Sequence, residues 1–379
     1  MFAYQESGRY FAPVARGLVE IAADELSELG AGQMEPETAG IHFQASTQAL
    51  YRITYGSRLV SRVLAPLAAF ACGSSDELYR AGRDLAWETI FTPERTFFIQ
   101  AAASLSRVSN SHFAALRLKD AIVDRFRQLF GRRPDVDLEN PDLRLHLHIE
   151  RDQAVISLDV SGGALHRRGY RRQTVAATLK ETLAAAIVRL SGWQGERPLI
   201  DPMCGSGTLL AEAALGYCRI PAAYNRVRFG FESLPDFDAG LWEKVRNEFD
   251  LRRRELPAGL IAGSDIDPQA VAAARGNLAG LPGGERVTIE CLDFRDHPGV
   301  RDGLLLCNPP FGVRLGQGER LKELYGQLGD FLKQRCPGST AYILCGNSQL
   351  IPYLGLKPLR RFVLFNGPIE CRLLKIEIY

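Results

Sequence analysis

The chain has 379 residues, 46% of them apolar and 24% charged, with a formal net charge of +2. This is the composition of an ordinary globular protein of two or three domains, and it argues against a chain that coats nucleic acid through bulk charge alone. No apolar run is long enough to cross a bilayer, no basic-then-apolar leader opens the sequence, and none of the eight cysteines forms a Cys-x-x-Cys pair. A membrane protein, a zinc site and a disulfide framework are therefore not expected, and a cytoplasmic location is.

Val14, Leu18, Ile21, Ala22 and Leu26 keep helical spacing, which predicts a helix over residues 14–29 with a strand on either side. Residues 47–91 read as two helical stretches divided by Cys72-Gly73-Ser74-Ser75-Asp76. Ser75 is placed to cap the second, and Asp76 and Glu77 suit its positive end. The pattern changes near Arg95. Residues 96–101 read as a strand and residues 111–130 as an amphipathic helix. Residues 143–149 alternate apolar and polar, and a further strand follows over 154–160. His146 and His148 share the polar face of that alternation, but no third ligand accompanies them, so no metal is expected.

Gly162-Gly163 breaks the last of these strands and opens a connector, residues 161–195. Arg167, Arg168, Arg171 and Arg172 lie there within six residues, without a compensating acid. Arginine pairs bidentately with phosphate and stacks on bases, so this cluster is the better nucleic-acid footprint. A second group, Arg117, Lys119, Arg125, Arg127, Arg132 and Arg133, is diluted by Asp120 and Asp124 and reads equally well as a solvated helix face. Residues 174–190 form an Ala-rich helical pattern leading into the second half.

That half opens with Leu199-Ile200-Asp201-Pro202-Met203-Cys204-Gly205-Ser206-Gly207-Thr208: an apolar strand, a Gly-rich turn, then a helix over 209–217. The glycines allow φ > 0 and close approach of a ligand. No third glycine completes a dinucleotide fingerprint, and no Lys-Ser or Lys-Thr makes a phosphate loop. An acid at the head of such a turn suits a cofactor with a positive amine and no phosphate, such as S-adenosylmethionine, with Asp201 facing the ammonium. The strand over 260–265 ends in Asp265, beside Ile266, where a carboxylate can accept from ribose hydroxyls. The strand over 287–294 ends in Asp293 and Phe294. The acid suits an adenine amino group, and Phe294 or Leu292 could cover the ring.

A fourth apolar run, residues 304–307, leads into Asn308-Pro309-Pro310-Phe311. Two prolines remove two donors and stiffen the backbone. The Asn308 side-chain carbonyl and the Pro309 backbone carbonyl can then accept both hydrogens of an exocyclic amine, while Phe311 stacks on its base. An Asn-Pro pair after a strand is commonly just a turn. Three acids at the ends of successive strands before it make an ordered series. A helix over 320–334 and strands over 340–344, 359–365 and 371–378 complete a seven-stranded, mainly parallel sheet whose last pair is antiparallel.

Asp201 to Thr208 together with Asn308 to Phe311 resembles the Rossmann-fold, S-adenosylmethionine-dependent methyltransferases that act on exocyclic amines. Leu165-His166-Arg167-Arg168-Gly169-Tyr170-Arg171 is similar to the junction of THUMP-domain RNA methyltransferases. Phe229-Gly230-Phe231-Glu232, Phe237-Asp238 and Leu241-Trp242 are similar to an insertion that family carries after its first helix. The subfamily resembled most is the bacterial enzymes that methylate guanine N2 in large-subunit ribosomal RNA. The resemblance implies an α/β, Rossmann-like seven-stranded methyltransferase domain over 196–379. Before it would come a ferredoxin-like element over 1–50, a THUMP RNA-binding domain over 51–160 and the basic connector. It implies Asn308, Pro309, Pro310 and Phe311 as catalytic residues. Asp201, Pro202, Cys204, Gly205, Gly207, Thr208, Asp265, Ile266, Asp293 and Phe294 would bind S-adenosylmethionine, and Arg167, Arg168, Arg171 and Arg172 would bind structured RNA. Transfer RNA as substrate, adenine N6 as target and a non-catalytic assembly factor remain open at this point.

Overall fold

The computed structural model describes residues 1–173, 179–312 and 318–379. Two compact units emerge: residues 1–14, 23–165 and 226–246 in the first, and residues 15–22, 166–225 and 247–379 in the second.

The N-terminal elements are α1 (Ala3–Ser7), β1 (Arg9–Pro13), α2 (Val19–Glu28), β2 (Gly32–Glu37), β3 (Gly40–Gln44), α3 (Thr47–Gly56) and β4 (Leu64–Ala71). They are followed by α4 (Ser75–Asp84), β5 (Phe97–Ser104), α5 (Ser111–Phe130), β6 (Leu143–Glu150) and β7 (Gln153–Asp159). The first unit is built on one seven-stranded sheet in the order β2-β3-β1-β4-β7-β6-β5. Only the β5–β6 pair is parallel. One sheet thus carries strands from both of the regions expected to fold as an N-terminal element and an RNA-binding domain.

Three expectations differ here. Helix α2 starts at Val19 rather than Val14, because Val14 still bridges Val60 and Gly17 turns the chain at φ +82°. Ser74, not Ser75, caps α4 by accepting from the Glu77 amide. Strand β4 falls inside a stretch read as helical. Its sequence, Leu-Ala-Pro-Leu-Ala-Ala-Phe-Ala, is rich in helix formers, but pairing with β1 and β7 on its two edges overrides that propensity. Pro66 is tolerated because the register to β7 shifts between Pro66 and Ala68. By contrast α5 follows its sequence pattern, capped by the Asn110 side chain and closed by left-handed Gly131.

The stretch from Phe229 to Trp242 packs in this first unit. Phe229, Phe231 and Trp242 form an aromatic cluster with Tyr51 and Tyr55 of α3. Gly230 lets the backbone pass the end of β7, where a Cβ would meet the Asp159 carbonyl at 1.9 Å.

The second unit holds α6 (Glu181–Ser191), β8 (Leu199–Asp201), α7 (Thr208–Tyr217) and, after α8 (Ala239–Asp250), β9 (Ile261–Asp265), α9 (Pro268–Leu278) and β10 (Thr288–Cys291). Then come β11 (Leu304–Cys307), α10 (Gly318–Arg335), β12 (Thr340–Cys345), β13 (Arg360–Asn366) and β14 (Ile369–Glu377). The first residues of the helix expected over 174–190 lie outside the described residues. The sheet order is β10-β9-β8-β11-β12-β14-β13, parallel except for β14, which runs antiparallel to both neighbours. Successive strands step outward from β8 to β10, and the order then reverses to β11 on the other side. That switch point opens a crevice at the carboxyl ends. Leu304, Leu305, Leu306 and Cys307 are all buried, as a central strand covered on both faces requires.

Candidate active site

A cleft of about 760 Å³ lies over the carboxyl ends of these strands, lined by the residues that follow β8, β9, β10 and β11 and by one face of α10. Because the strand order is β10-β9-β8-β11, the loops follow one another across the cleft as Asp293, Asp265, Asp201 and Asn308. Three strand spacings of about 4.8 Å separate the first from the last, roughly 14 Å in all. The floor therefore suits an extended ligand.

Asp201 is buried, accepts from the Met203 amide at 3.1 Å, and has its carboxyl pushed up to about 8, chiefly by burial with a smaller push from Asp265. A cation placed there would relieve that cost. Pro202 and Cys204 continue the turn. The Cys204 thiol is buried and raised well above its usual range by desolvation, so it behaves as a small apolar group. Gly205 at φ +54° donates its amide to Asp265 Oδ2 at 2.8 Å, and none of the described residues stands within 4 Å of where its Cβ would be. That open cradle sits on the cleft wall. Gly207 does not line the cleft. It precedes α7 at φ +77°, and a Cβ there would come within 3.2 Å of Ala274 on α9, so its task is helix packing. Thr208 lines the cleft, with its hydroxyl bonded to Arg171 at 3.1 Å.

Asp265 also accepts from the Asp267 amide at 3.0 Å. Among the described residues each of its oxygens keeps a further lone pair, free for a ligand hydroxyl. Ile266 beside it is 64% exposed on the cleft, an apolar side chain poised to cover a flat ring. Strand β10 ends at Cys291, three residues earlier than expected, so Asp293 and Phe294 sit in the turn beyond it. Phe294 is only 6% exposed and packs edge-to-face on Phe331 of α10. It presents little more than an edge, and Ile266 is the better ring cover.

Asn308 carries the most telling geometry. Its side-chain Oδ1 is buried without a hydrogen-bond partner among the described residues. Asn308 lines the cleft, and buried polar groups are nearly always satisfied, so an orphan acceptor on this residue marks a place for a ligand donor. Pro309 is buried, Pro310 exposed, and the half-buried Phe311 ring lies against the backbone of Gly346, where a Cβ would meet it at 2.4 Å.

The connector arginines divide. Arg168 and Glu212 pair at 3.3 Å with both side chains fully buried, and the Tyr170 hydroxyl joins them at 3.2 Å. Arg171 pairs with Glu181 at 3.2 Å and donates to the Leu179 carbonyl at 2.9 Å. These two hold the second unit together, which corrects their expected place on an RNA surface. Arg167 and Arg172 are exposed. Sequence reading also missed Arg295, which pairs with Asp293, and the α10 face Arg320, Glu323, Leu324 and Gln327. The i, i+3, i+4, i+7 spacing of that face was its only signal. Among the described residues, no group of three or more His, Cys, Asp or Glu side chains is placed to hold a metal, and no helix is long and apolar enough to cross a membrane.

Comparison with known proteins fits this geometry. The family profile described as RMKL-like, methyltransferase domain matches residues 168–375, a THUMP domain profile matches 72–159, and an RlmL ferredoxin-like domain profile matches 9–64. The chain belongs to the RMKL-like methyltransferase family. A Synechocystis sp. protein named "Putative RNA methyltransferase slr0064" is 43% identical, over 98% of this chain and 97% of its own length. The ribosomal RNA large subunit methyltransferase K/L of Syntrophotalea carbinolica is 44% identical over 98% of this chain but only 53% of its own length. This chain thus spans about half of the K/L relatives. The crystal structure of SMU.472, complexed with SAH, superposes with a TM-score of 0.86 at 27% identity, covering 98% of each chain. A Listeria monocytogenes structure described as a "predicted N6-adenine-specific DNA methylase" gives a TM-score of 0.84 at 27% identity, over 99% of this chain and 98% of the other. This family member is an S-adenosylmethionine-dependent methyltransferase. The cleft fits that cofactor: a buried acid for its ammonium, a glycine cradle, and a second acid for its ribose.

Proposed function

We propose that this chain methylates the exocyclic N2 amine of a guanine in large-subunit ribosomal RNA. S-adenosylmethionine supplies a methyl group already activated on a sulfonium. The protein's work is then alignment and charge stabilisation. Asp201 holds the ammonium end. Asp265 accepts from the ribose, Ile266 covers the adenine and Asp293 accepts from its amine. These contacts leave the methyl-bearing end nearest Asn308. Oδ1 of Asn308 and the Pro309 carbonyl accept the two hydrogens of the target amine, favour a tetrahedral nitrogen and stabilise the positive charge that develops on it. The cationic product is acidic enough to lose its proton without a dedicated base. The target base must leave its helix to reach the cleft, and Phe311, braced on Gly346, gives it a surface to stack on.

The orphan carbonyl of Asn308 carries the amine-transfer reading. The names of the K/L relatives and the THUMP match favour ribosomal RNA. The test is transfer of a labelled methyl group to separated large-subunit ribosomal RNA, transfer RNA and DNA. Label is expected in the first, as N2-methylguanine. Label confined to transfer RNA or to adenine N6 overturns the substrate assignment. In the same assay Asn308→Ala should slow single-turnover transfer by about 100-fold or more while cofactor affinity stays within a few-fold. A rate close to wild type would remove Asn308 from the chemistry.

A further inference from the structure

Asp293 is held by its neighbour two residues on. Its Oδ1 accepts from the Arg295 backbone amide at 2.9 Å and from Arg295 Nε at 3.0 Å, while Oδ2 accepts from Arg295 Nη2 at 2.5 Å. A carboxylate oxygen has two lone pairs in its plane. Oδ1 therefore has both engaged, and among the described residues Oδ2 has one left. The Asp293 side chain is 13% exposed and the Arg295 side chain 54%, and both line the cleft. The guanidinium fork fixes the carboxylate plane, as bidentate arginine pairing does. It also holds the Asp293 carboxyl below its ordinary range, so that near neutral pH the group only accepts. Glu323 of α10 acts electrostatically on the same guanidinium.

Resting on the proposed cofactor pose, we propose that Arg295 is a positioning residue that makes Asp293 a single-acceptor reader of the cofactor's adenine amine. It does not touch the reacting atoms. It decides which one lone pair faces the purine, and so decides that a purine with an amino donor is accepted. A purine with a carbonyl at the same place meets a carboxylate that has no hydrogen to give. The position of Asp293 supports this, since it lies after β10, three strands from Asn308, where the adenine end of an extended cofactor falls.

The experiment is calorimetric titration of the full chain with S-adenosylhomocysteine and with S-inosylhomocysteine, in which a carbonyl replaces the adenine amine. Wild type should prefer the adenosyl ligand by about tenfold or more, the range expected for one hydrogen bond to a charged acceptor. Arg295→Ala should reduce that preference to within about threefold, by weakening the adenosyl ligand alone. Arg295→Lys keeps the charge but loses the fork, and should fall between the two. An unchanged preference in Arg295→Ala, equal weakening of both ligands, or tighter adenosyl binding overturns the positioning role. Wild type that binds neither ligand sinks the cofactor pose itself, and that result is distinct from a wild type that discriminates while Arg295→Ala does so equally well.

Discussion

Asp201 shows how a single buried carboxyl links stability to ligand binding. Its carboxyl is pushed up to about 8 by burial, far above the roughly 3.9 of an unfolded chain. The native state therefore binds a proton that the unfolded state has released over the window between those values. Stability from this group is complete below about pH 4 and is lost as pH rises through about 8. A bound ammonium reverses the preference, because it stabilises the carboxylate. Cofactor affinity should then rise with pH between about 6 and 7.5, a range below the ordinary titration of an α-amino group. In Asp201→Asn the affinity should be weaker and nearly flat over that range, and stability should depend less on pH between 4 and 8. Calorimetry and thermal melts at matched pH values measure both. A wild-type affinity that does not move with pH would mean that Asp201 stays protonated beneath the ligand or lies away from its ammonium. The acid itself was legible in the sequence from its place at the head of the Gly-rich turn. Its protonation was not, since that depends on atoms brought over it by distant segments.

At the scale of elements, boundaries were legible where local signals and tertiary packing agree. Helix α5 runs from Ser111 to Phe130, the bounds its pattern indicates, with Asn110 capping through the Phe113 amide. Strand β11, a short apolar run, also stands where it was expected. Strand β4 was illegible because its partners, β1 and β7, come from remote parts of the chain. The two glycines of the first turn make a comparable contrast. Both have positive φ, so alanine costs about 1–2 kcal/mol at either place through backbone strain. At Gly207 the new methyl also meets Ala274 at 3.2 Å, whereas at Gly205 it projects into open cleft. Gly207→Ala should therefore lower the melting temperature more, and Gly205→Ala should lose more cofactor affinity relative to its loss of stability. Melts paired with cofactor titrations separate the two. Equal ratios of affinity loss to stability loss would place Gly205 outside the ligand volume.

At the scale of the whole molecule, the question is which arginines meet RNA. The sequence offered four in six residues, and charge counting treats them alike. Burial does not: Arg168 is sealed against Glu212, and Arg171 is tied to Glu181, Leu179 and Thr208. A buried charge that loses its partner is costly, and an exposed one contributes little to stability. Arg167 and Arg172 are left on the surface of the second unit, immediately after the chain leaves the unit that contains the THUMP match. Phosphate contacts release counterions, so each one lost should flatten the dependence of log affinity on log salt by about 0.7–0.9. Arg167→Ala/Arg172→Ala should weaken RNA binding, reduce that slope by more than one unit and leave the melting temperature nearly unchanged. Arg171→Ala should do the opposite, lowering the melting temperature while the slope holds. RNA titrations over a salt series, read beside thermal melts of both variants, decide between these roles. If the exposed pair leaves the slope intact, the RNA backbone does not pass over this connector and its path has to run across the first unit instead.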